Sequence, residues 1–404
     1  MATFKRLNPK TGARFTQDGR VVNIADIAER FNGTIDTFDQ VKTVEYTPII
    51  ERSPRPGFSV LRDRTVPAGE TINLVNGELE VDGTLGKVGL YTRKRGRYLS
   101  GLIGVAGIRF RIADPSTGNY EYGYGDEFGN RMGIEWNNGD VFTFVESNGN
   151  RYYRQPRENW LDPLDGTGPS GINVDINGLT LRMPYGWYGG LLTRFDFAIP
   201  NRLTGDEIVT VDRSSTEELA AGVTIEEPNL PIFAEADGGI GYVGGRQYGV
   251  YGRYRPEFRT TATSNVNKTD VGTDYEPIVT LKVKDEVAFR GVPVILGGAG
   301  VLSTEEAEWA IFVDAELTGA SFGPISGVPA AETALEVDTS ATAMTGGYRV
   351  YSDNIFGGQG NQSGVDDADL PDFNIPSDGS ITLAARSLSG TAAINGVLRV
   401  KEEN

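Results

Sequence analysis

The densest run of side chains able to do chemistry is Val365-Asp-Asp-Ala-Asp-Leu-Pro-Asp372, which follows a glycine-rich stretch at 357–364. Hard cations such as Ca²⁺ or Mg²⁺ take oxygen ligands from acidic loops. Asp366, Asp367, Asp369 and Asp372 are therefore the candidate metal ligands. Their spacing is not that of an EF-hand, and a solvated acidic loop is the competing reading. A second carboxylate set, Asp162, Asp165 and Asp175, sits in and after Trp160-Leu-Asp-Pro-Leu-Asp-Gly-Thr-Gly-Pro-Ser-Gly171. Aspartates among glycines close Asx-turns, and Trp160 and Trp187 bring large flat faces close by. The run reads first as a structural loop clamped by aromatics, and second as a cation site.

Much chemistry is excluded outright. The chain has no cysteine and no histidine, so disulfides, thiolates, Cys/His zinc sites and Ser-His-Asp arrangements are all impossible. Catalysis would need paired carboxylates, lysine or tyrosine, and no pair stands out. Gly239-Ile-Gly-Tyr-Val-Gly244 matches a dinucleotide fingerprint by letter, but it opens no helix and no parallel βαβ pattern surrounds it. Ser170 lies in Gly-Pro-Ser-Gly, with no histidine to activate it.

Other patterns point to contact surfaces. Tyr242, Tyr248, Tyr251 and Tyr254 interleave with Arg246, Arg253 and Arg255. That mixture is typical of interface anchors, because both types bury large area with a polar handle. It fits a subunit contact or a glycan-binding face. The basic run Arg93-Lys-Arg-Gly-Arg97 fits pairing with acidic neighbours across an interface, or a solvated turn. Asn32, Asn267 and Asn361 begin glycosylation sequons.

The elements that must position these residues are β-strands. The chain holds 53 Gly and 20 Pro, and the runs between them are short and rich in Val, Ile, Thr, Tyr and Phe. Leu85–Tyr91, Gly104–Ile112, Val141–Val145 and Leu179–Met183 are expected strands, followed by Thr280–Val283, Ala310–Val313, Tyr348–Tyr351, Ile381–Ala385 and Gly396–Val400. Asn148-Gly149 and Asn177-Gly178 predict tight hairpins. Asn23–Phe31 and Ser214–Ala221 have helical spacing. The fold class expected is all-β: tandem antiparallel β-sandwich domains of jelly-roll-like form with a short N-terminal arm. The divisions are an arm at 1–57, a β-sandwich region of one or two subdomains at 58–275 and a C-terminal β-sandwich at 276–404.

Charge narrows the partners. The 38 basic against 55 acidic residues give a formal charge of -17, which repels nucleic acid phosphates. The basic residues divide into 9 Lys and 29 Arg. An acidic, lysine-poor surface suits concentrated salt, although a GC-rich genome produces the same arginine bias. No run of apolar residues is long enough for a membrane span, and no signal peptide is expected at the start.

The motif set also carries a resemblance. Beside Trp160–Gly171 stand Tyr122-Gly-Tyr-Gly-Asp-Glu-Phe-Gly-Asn130, Val141-Phe-Thr-Phe144, Trp187-Tyr-Gly-Gly190 and Thr193-Arg-Phe-Asp-Phe197, and then Leu317-Thr-Gly-Ala-Ser-Phe322 and Thr345-Gly-Gly-Tyr348. Together, over roughly 85 to 400, they resemble virion structural proteins of tailed double-stranded DNA viruses, of the fibre, baseplate or capsid-surface kind. With the salt-adapted composition, the resemblance points to a virus of a haloarchaeon. It implies a non-enzymatic virion surface protein, a turret, decoration or tail component, forming homo-oligomers with other virion proteins. It also implies contact with a host surface glycan or glycoprotein, no nucleic acid and no membrane insertion. No cofactor is expected beyond structural cations. The family's usual Trp is Phe322 here, expected to fill the same core position. The alternative function is a tail-spike depolymerase or hydrolase acting on carbohydrate through paired carboxylates.

Overall fold

The computed structural model describes residues 46–59, 62–99, 102–187, 191–201, 205–214, 225, 228–252, 258–285, 294–356, 361–366, 374–375 and 379–403, with five two-residue strands before residue 46. The expected helical stretches at 23–31 and 215–221, and Asp367, Asp369 and Asp372, lie outside them.

The chain folds as antiparallel sheets stacked into two sandwiches. In the first, a seven-stranded sheet runs in the order Asn150–Pro156, Asp140–Ser147, Arg131–Asn137, Asn119–Gly125, Ile232–Asp237, Val88–Thr92, Asp63–Val66. An eight-stranded sheet faces it, in the order Gly205–Arg213, Leu191–Asn201, Thr180–Trp187, Ile103–Ile112, Ile240–Tyr251, Glu78–Asp82, Asn73–Val75, with Tyr46–Arg52 also paired to Ile240–Tyr251. In the second sandwich, the long strand Ala392–Glu403 pairs with Val294–Ser303, Phe258–Ala262 and Val266–Val271 in a six-stranded sheet. The five-stranded sheet runs Leu335–Asp338, Glu276–Val283, Ser380–Ser387, Ala307–Val313, Tyr348–Ile355.

Period-two alternation explains the packing. In Asn119–Gly125, Tyr120, Tyr122 and Tyr124 point into the first core while Glu121 and Gly123 point out. Phe110 stacks on Tyr122 at 4.7 Å, and Trp136 meets Phe110 edge-on at 5.1 Å. Each such side chain contributes roughly 1.5–3 kcal/mol through burial. The second core is separate and centres on Trp309, Ile311, Leu281 and Leu383. An ion pair crosses between the sandwiches: Arg93 Nη1 lies 2.8 Å from Asp314 Oδ2.

Turn chemistry accounts for agreement and for error. Asn148 and Gly149 take φ of 49° and 73°, the left-handed pair that a two-residue hairpin needs. Asn76-Gly77 and Asn138-Gly139 do the same. Asn177-Gly178 does not make a hairpin. Ile176–Gly178 is a 3-10 turn, and the Asp175 carboxylate accepts from the Asn177 N–H at 3.0 Å. An acceptor two residues upstream has overridden the hairpin preference. Leu85 is fully exposed on a turn and the strand begins at Val88. Phe322 is only half-buried, with the Lys282 ammonium 5.9 Å from its ring, whereas Ile325 fills the core.

Candidate functional site

A bulge organises a concave surface on the outer face of the eight-stranded sheet. Where Ile240–Tyr251 pairs with Ile103–Ile112, Ile108 sits opposite Arg246 but Phe110 sits opposite Val243. The Gly244-Gly245 pair therefore supplies one residue more than the strand beside it, as glycine permits in a strand. Two results follow. Tyr242 and Gln247 stay on the outer face, with bare backbone between them. Beyond the bulge the parity flips, so Arg246 turns inward.

The outer face here is a groove of about 950 Å³. Its floor is Gly107, Gly244 and Gly245. A Cβ on Gly107 would meet Gln247 Cγ at 3.0 Å, and one on Gly244 would meet Arg109 Cδ at 3.0 Å. Side chains there would fill the space that the glycines leave open. Arg109 and Arg111 alternate with Phe110, so both guanidinium groups project outward while the ring enters the core. Arg111 lies over the Tyr242 ring at 3.8 Å and donates to Glu78 at 2.9 and 2.8 Å. Arg109 and Arg55 are exposed, and neither guanidinium has a hydrogen-bond or ion-pair partner among the described residues. Thr180, Gln247 and Glu51 are also among its lining residues.

The tyrosine–arginine pattern is thus divided between two faces. Tyr242 and Tyr251 face outward, the latter accepting from Arg182 at 3.2 Å. Arg246 and Tyr248 face inward and cannot serve a surface contact. Tyr248 joins Tyr124 and Tyr185 in a buried knot, its hydroxyl 3.1 Å from that of Tyr185 and donating to the Arg97 carbonyl at 2.8 Å. Burial, with the neighbouring phenols, drives the pKa of Tyr185 and of Tyr248 far up, so both stay neutral. Arg253, Tyr254 and Arg255 lie outside the described residues.

The other sequence candidates have structural work. Asp162 caps the N–H groups of Leu164 and Ser170 at 3.2 and 2.8 Å, and Asp165 holds Thr167. Trp160 is buried in the first core and donates to the Gln155 carbonyl at 3.1 Å. This is a loop closed by Asx-turns, the first of the two readings. The basic run turns inward: Arg93 reaches Asp314, and Arg95 donates to the Asn229 carbonyl at 3.2 Å. Asp366 ends the strand Asn361–Asp366, its backbone opposite Gly298, and its side chain is outside the described residues. Among the described residues no group of three or more acidic side chains is placed to hold a metal ion. Gly239–Gly244 lies at and within a strand. Its glycines make room for phenol heads, with Tyr122 Oη 2.3 Å from where a Cβ on Gly241 would sit.

Sequence reasoning missed a network on the outer face of the seven-stranded sheet. Arg131 contacts Glu235 at 2.7 Å and Glu121 at 3.1 Å, and Arg151 contacts Glu121, Glu135 and Glu146 at 2.9, 2.6 and 2.8 Å. Arg151 and Arg154 also cover Phe144 and Phe142 at 4.1 and 3.3 Å. Burial opposes the charge on Glu235, but Arg131 and Lys87 outweigh it and hold the carboxyl below the usual range. The available signal was the alternation of Arg131, Gly133 and Glu135 along one strand, paired with Glu121 and Gly123 on the next.

No protein-family model matches the sequence, and no curated protein matches it. Three solved structures show the extent of the structural likeness. The carbohydrate recognition domain of Emp47p is 12% identical with a TM-score of 0.29, covering 48% of this chain and 89% of that one. A lectin from Bauhinia forficata, solved with GalNAc, is 11% identical at a TM-score of 0.27, covering 50% and 98%. The CBM2 module of the evolved Dit of Lactobacillus casei BL23 phage J-1 is 8% identical at 0.30, covering 52% and 99%. At these values the likenesses carry no argument about ligand or activity.

Proposed function

We propose that this chain is a non-enzymatic surface component of a virus particle, an adhesive double sandwich that contributes to host attachment through the arginine-lined groove. The particle assignment rests on the motif resemblance from Trp160–Gly171 to Thr345–Tyr348. The observation that carries the adhesive role is a pair of guanidinium groups with no partner among the described residues, Arg55 and Arg109, beside an open glycine floor. Unpaired cations on a chain of formal charge -17 are available to an external partner. The chain is then expected in purified particles, at a fixed ratio to the major structural protein and labelled at their surface by antibody. Its absence from particles sinks the reading.

The same groove is lined by Glu51 and Glu78, which gives the depolymerase alternative a concrete form. Incubation with host envelope glycans, followed by size analysis of the saccharides, decides between them. Shortened chains that depend on Glu51 or Glu78 would favour the hydrolase; intact chains favour adhesion.

A further inference from the structure

We infer that the groove binds a segment of acidic polysaccharide, a run of sugars bearing carboxylate or sulfate groups. This rests on the adhesive reading of the groove and adds the class of ligand. Shape comes first. The groove lies across the outer face of a sheet, and its volume is near the top of the ~300–1,000 Å³ range of small-ligand sites. It suits several linked rings of an extended chain better than one enclosed metabolite.

Charge and geometry come next. A guanidinium offers a planar fork of N–H donors that matches a carboxylate or a sulfate, and those of Arg55 and Arg109 are uncommitted among the described residues. Arg111 is already answered by Glu78 and lies over the Tyr242 ring, so it is an oriented donor rather than a free charge. Gln247 and Thr180 supply neutral hydrogen-bonding groups of the kind that sugar hydroxyls need. Other polyanions fit less well. Single-stranded nucleic acid is held by stacking on open aromatic faces, and here Arg111 covers the face of Tyr242. An acidic peptide would look for an apolar pocket to anchor a large side chain, and the floor is bare glycine.

The test is calorimetric titration of the full chain, at low and at multimolar salt, with a polygalacturonate oligosaccharide, a sulfated dextran, unsubstituted dextran and a single-stranded oligodeoxynucleotide. At least one anionic saccharide is expected to bind, with unsubstituted dextran at least about tenfold weaker. The R55A/R109A double variant is expected to lose about tenfold or more, as the removal of charge-assisted hydrogen bonds implies, with its melting temperature unchanged. The two saccharides separate carboxylate from sulfate preference. Binding of neither, equal binding of unsubstituted dextran, undiminished binding by the double variant, or tighter binding of the oligonucleotide would each overturn the inference. Absence from particles would instead overturn the particle assignment and leave these affinities standing.

Discussion

Arg246 meets Asp63 through two hydrogen bonds, at 2.8 and 3.1 Å, joining residues 183 apart in sequence across the two sheets of the first sandwich. Both side chains are almost fully buried, at 2% and 4% exposure. A buried pair of this kind adds little net stability compared with an apolar packing of the same volume, but removing one partner strands the other charge in the core.

Asp63→Ala is therefore expected to cost about 3–5 kcal/mol, and the double replacement D63A/R246M less than the single one. Denaturant titration of both variants measures this. With R246M measured as well, a double-variant loss equal to the sum of the two single losses would mean that the pair is not energetically coupled.

Packing at Gly241 gives a second coupled prediction. Gly241→Ala brings a methyl into Tyr122 Oη at 2.3 Å, whereas the ring carbon behind it is 3.4 Å away. The substitution is expected to destabilise by about 1–3 kcal/mol. Tyr122→Phe in the same chain should recover most of the loss, because the remaining contact is an ordinary one. A double-mutant cycle with no positive coupling would refute this account.

Acid sensitivity should come partly from the outer network. The Glu235 carboxyl, subject to burial but overridden by Arg131 and Lys87, is held below its ordinary value of 4.5. A depressed carboxylate contributes stability above its unfolded pKa, and that contribution is lost as pH falls through the lower folded value. Stability is expected to drop as pH goes below about 4.5, and Glu235→Gln should flatten that slope while lowering stability at neutral pH. Unfolding midpoints followed from neutral to acid pH provide the check; an unchanged slope in the variant would remove Glu235 from the account.

The two separate cores predict separable unfolding. Trp309→Ala should destabilise the second sandwich by about 3–5 kcal/mol, and Trp136→Ala the first by a similar amount. Calorimetric scans should show each variant moving a different transition, with the Arg93–Asp314 contact contributing roughly 1 kcal/mol or less to their coupling. A single transition shifted equally by both variants would show one cooperative unit instead.

How much of this was legible beforehand varies with the physics involved. Strands such as Ile103–Ile112 and Asp140–Ser147 could be read because short runs of β-branched and aromatic residues lie between turn residues. The loop from Trp160 to Gly171 was legible as turn chemistry because Asx-turns are local. The groove was not legible. It depends on one extra residue at Gly244-Gly245, and an unaligned sequence does not show which strand lies opposite or where the register slips. The same slip turned Arg246 and Tyr248 inward, which is why the Tyr242–Arg255 pattern looked like a single surface. Arg55 was placed in the N-terminal arm, although Tyr46–Arg52 just before it is a sheet strand. Phe322 failed for a related reason: residue type marks a core candidate, but the path of the chain decides whether Phe322 or Ile325 occupies it.

The bulged strand has a mechanical consequence. Ile240–Tyr251 is bonded to Ile103–Ile112 along one edge and to Glu78–Asp82 and Tyr46–Arg52 along the other. Anything gripped above its glycines pulls on the middle of the sheet, not on a rim loop. A tug along the strand must shear two ladders of backbone hydrogen bonds at once, and the Arg246 anchor passes part of the load to the opposite sheet. A tether under flow would transmit tension into the body of the sandwich without peeling it open from an edge.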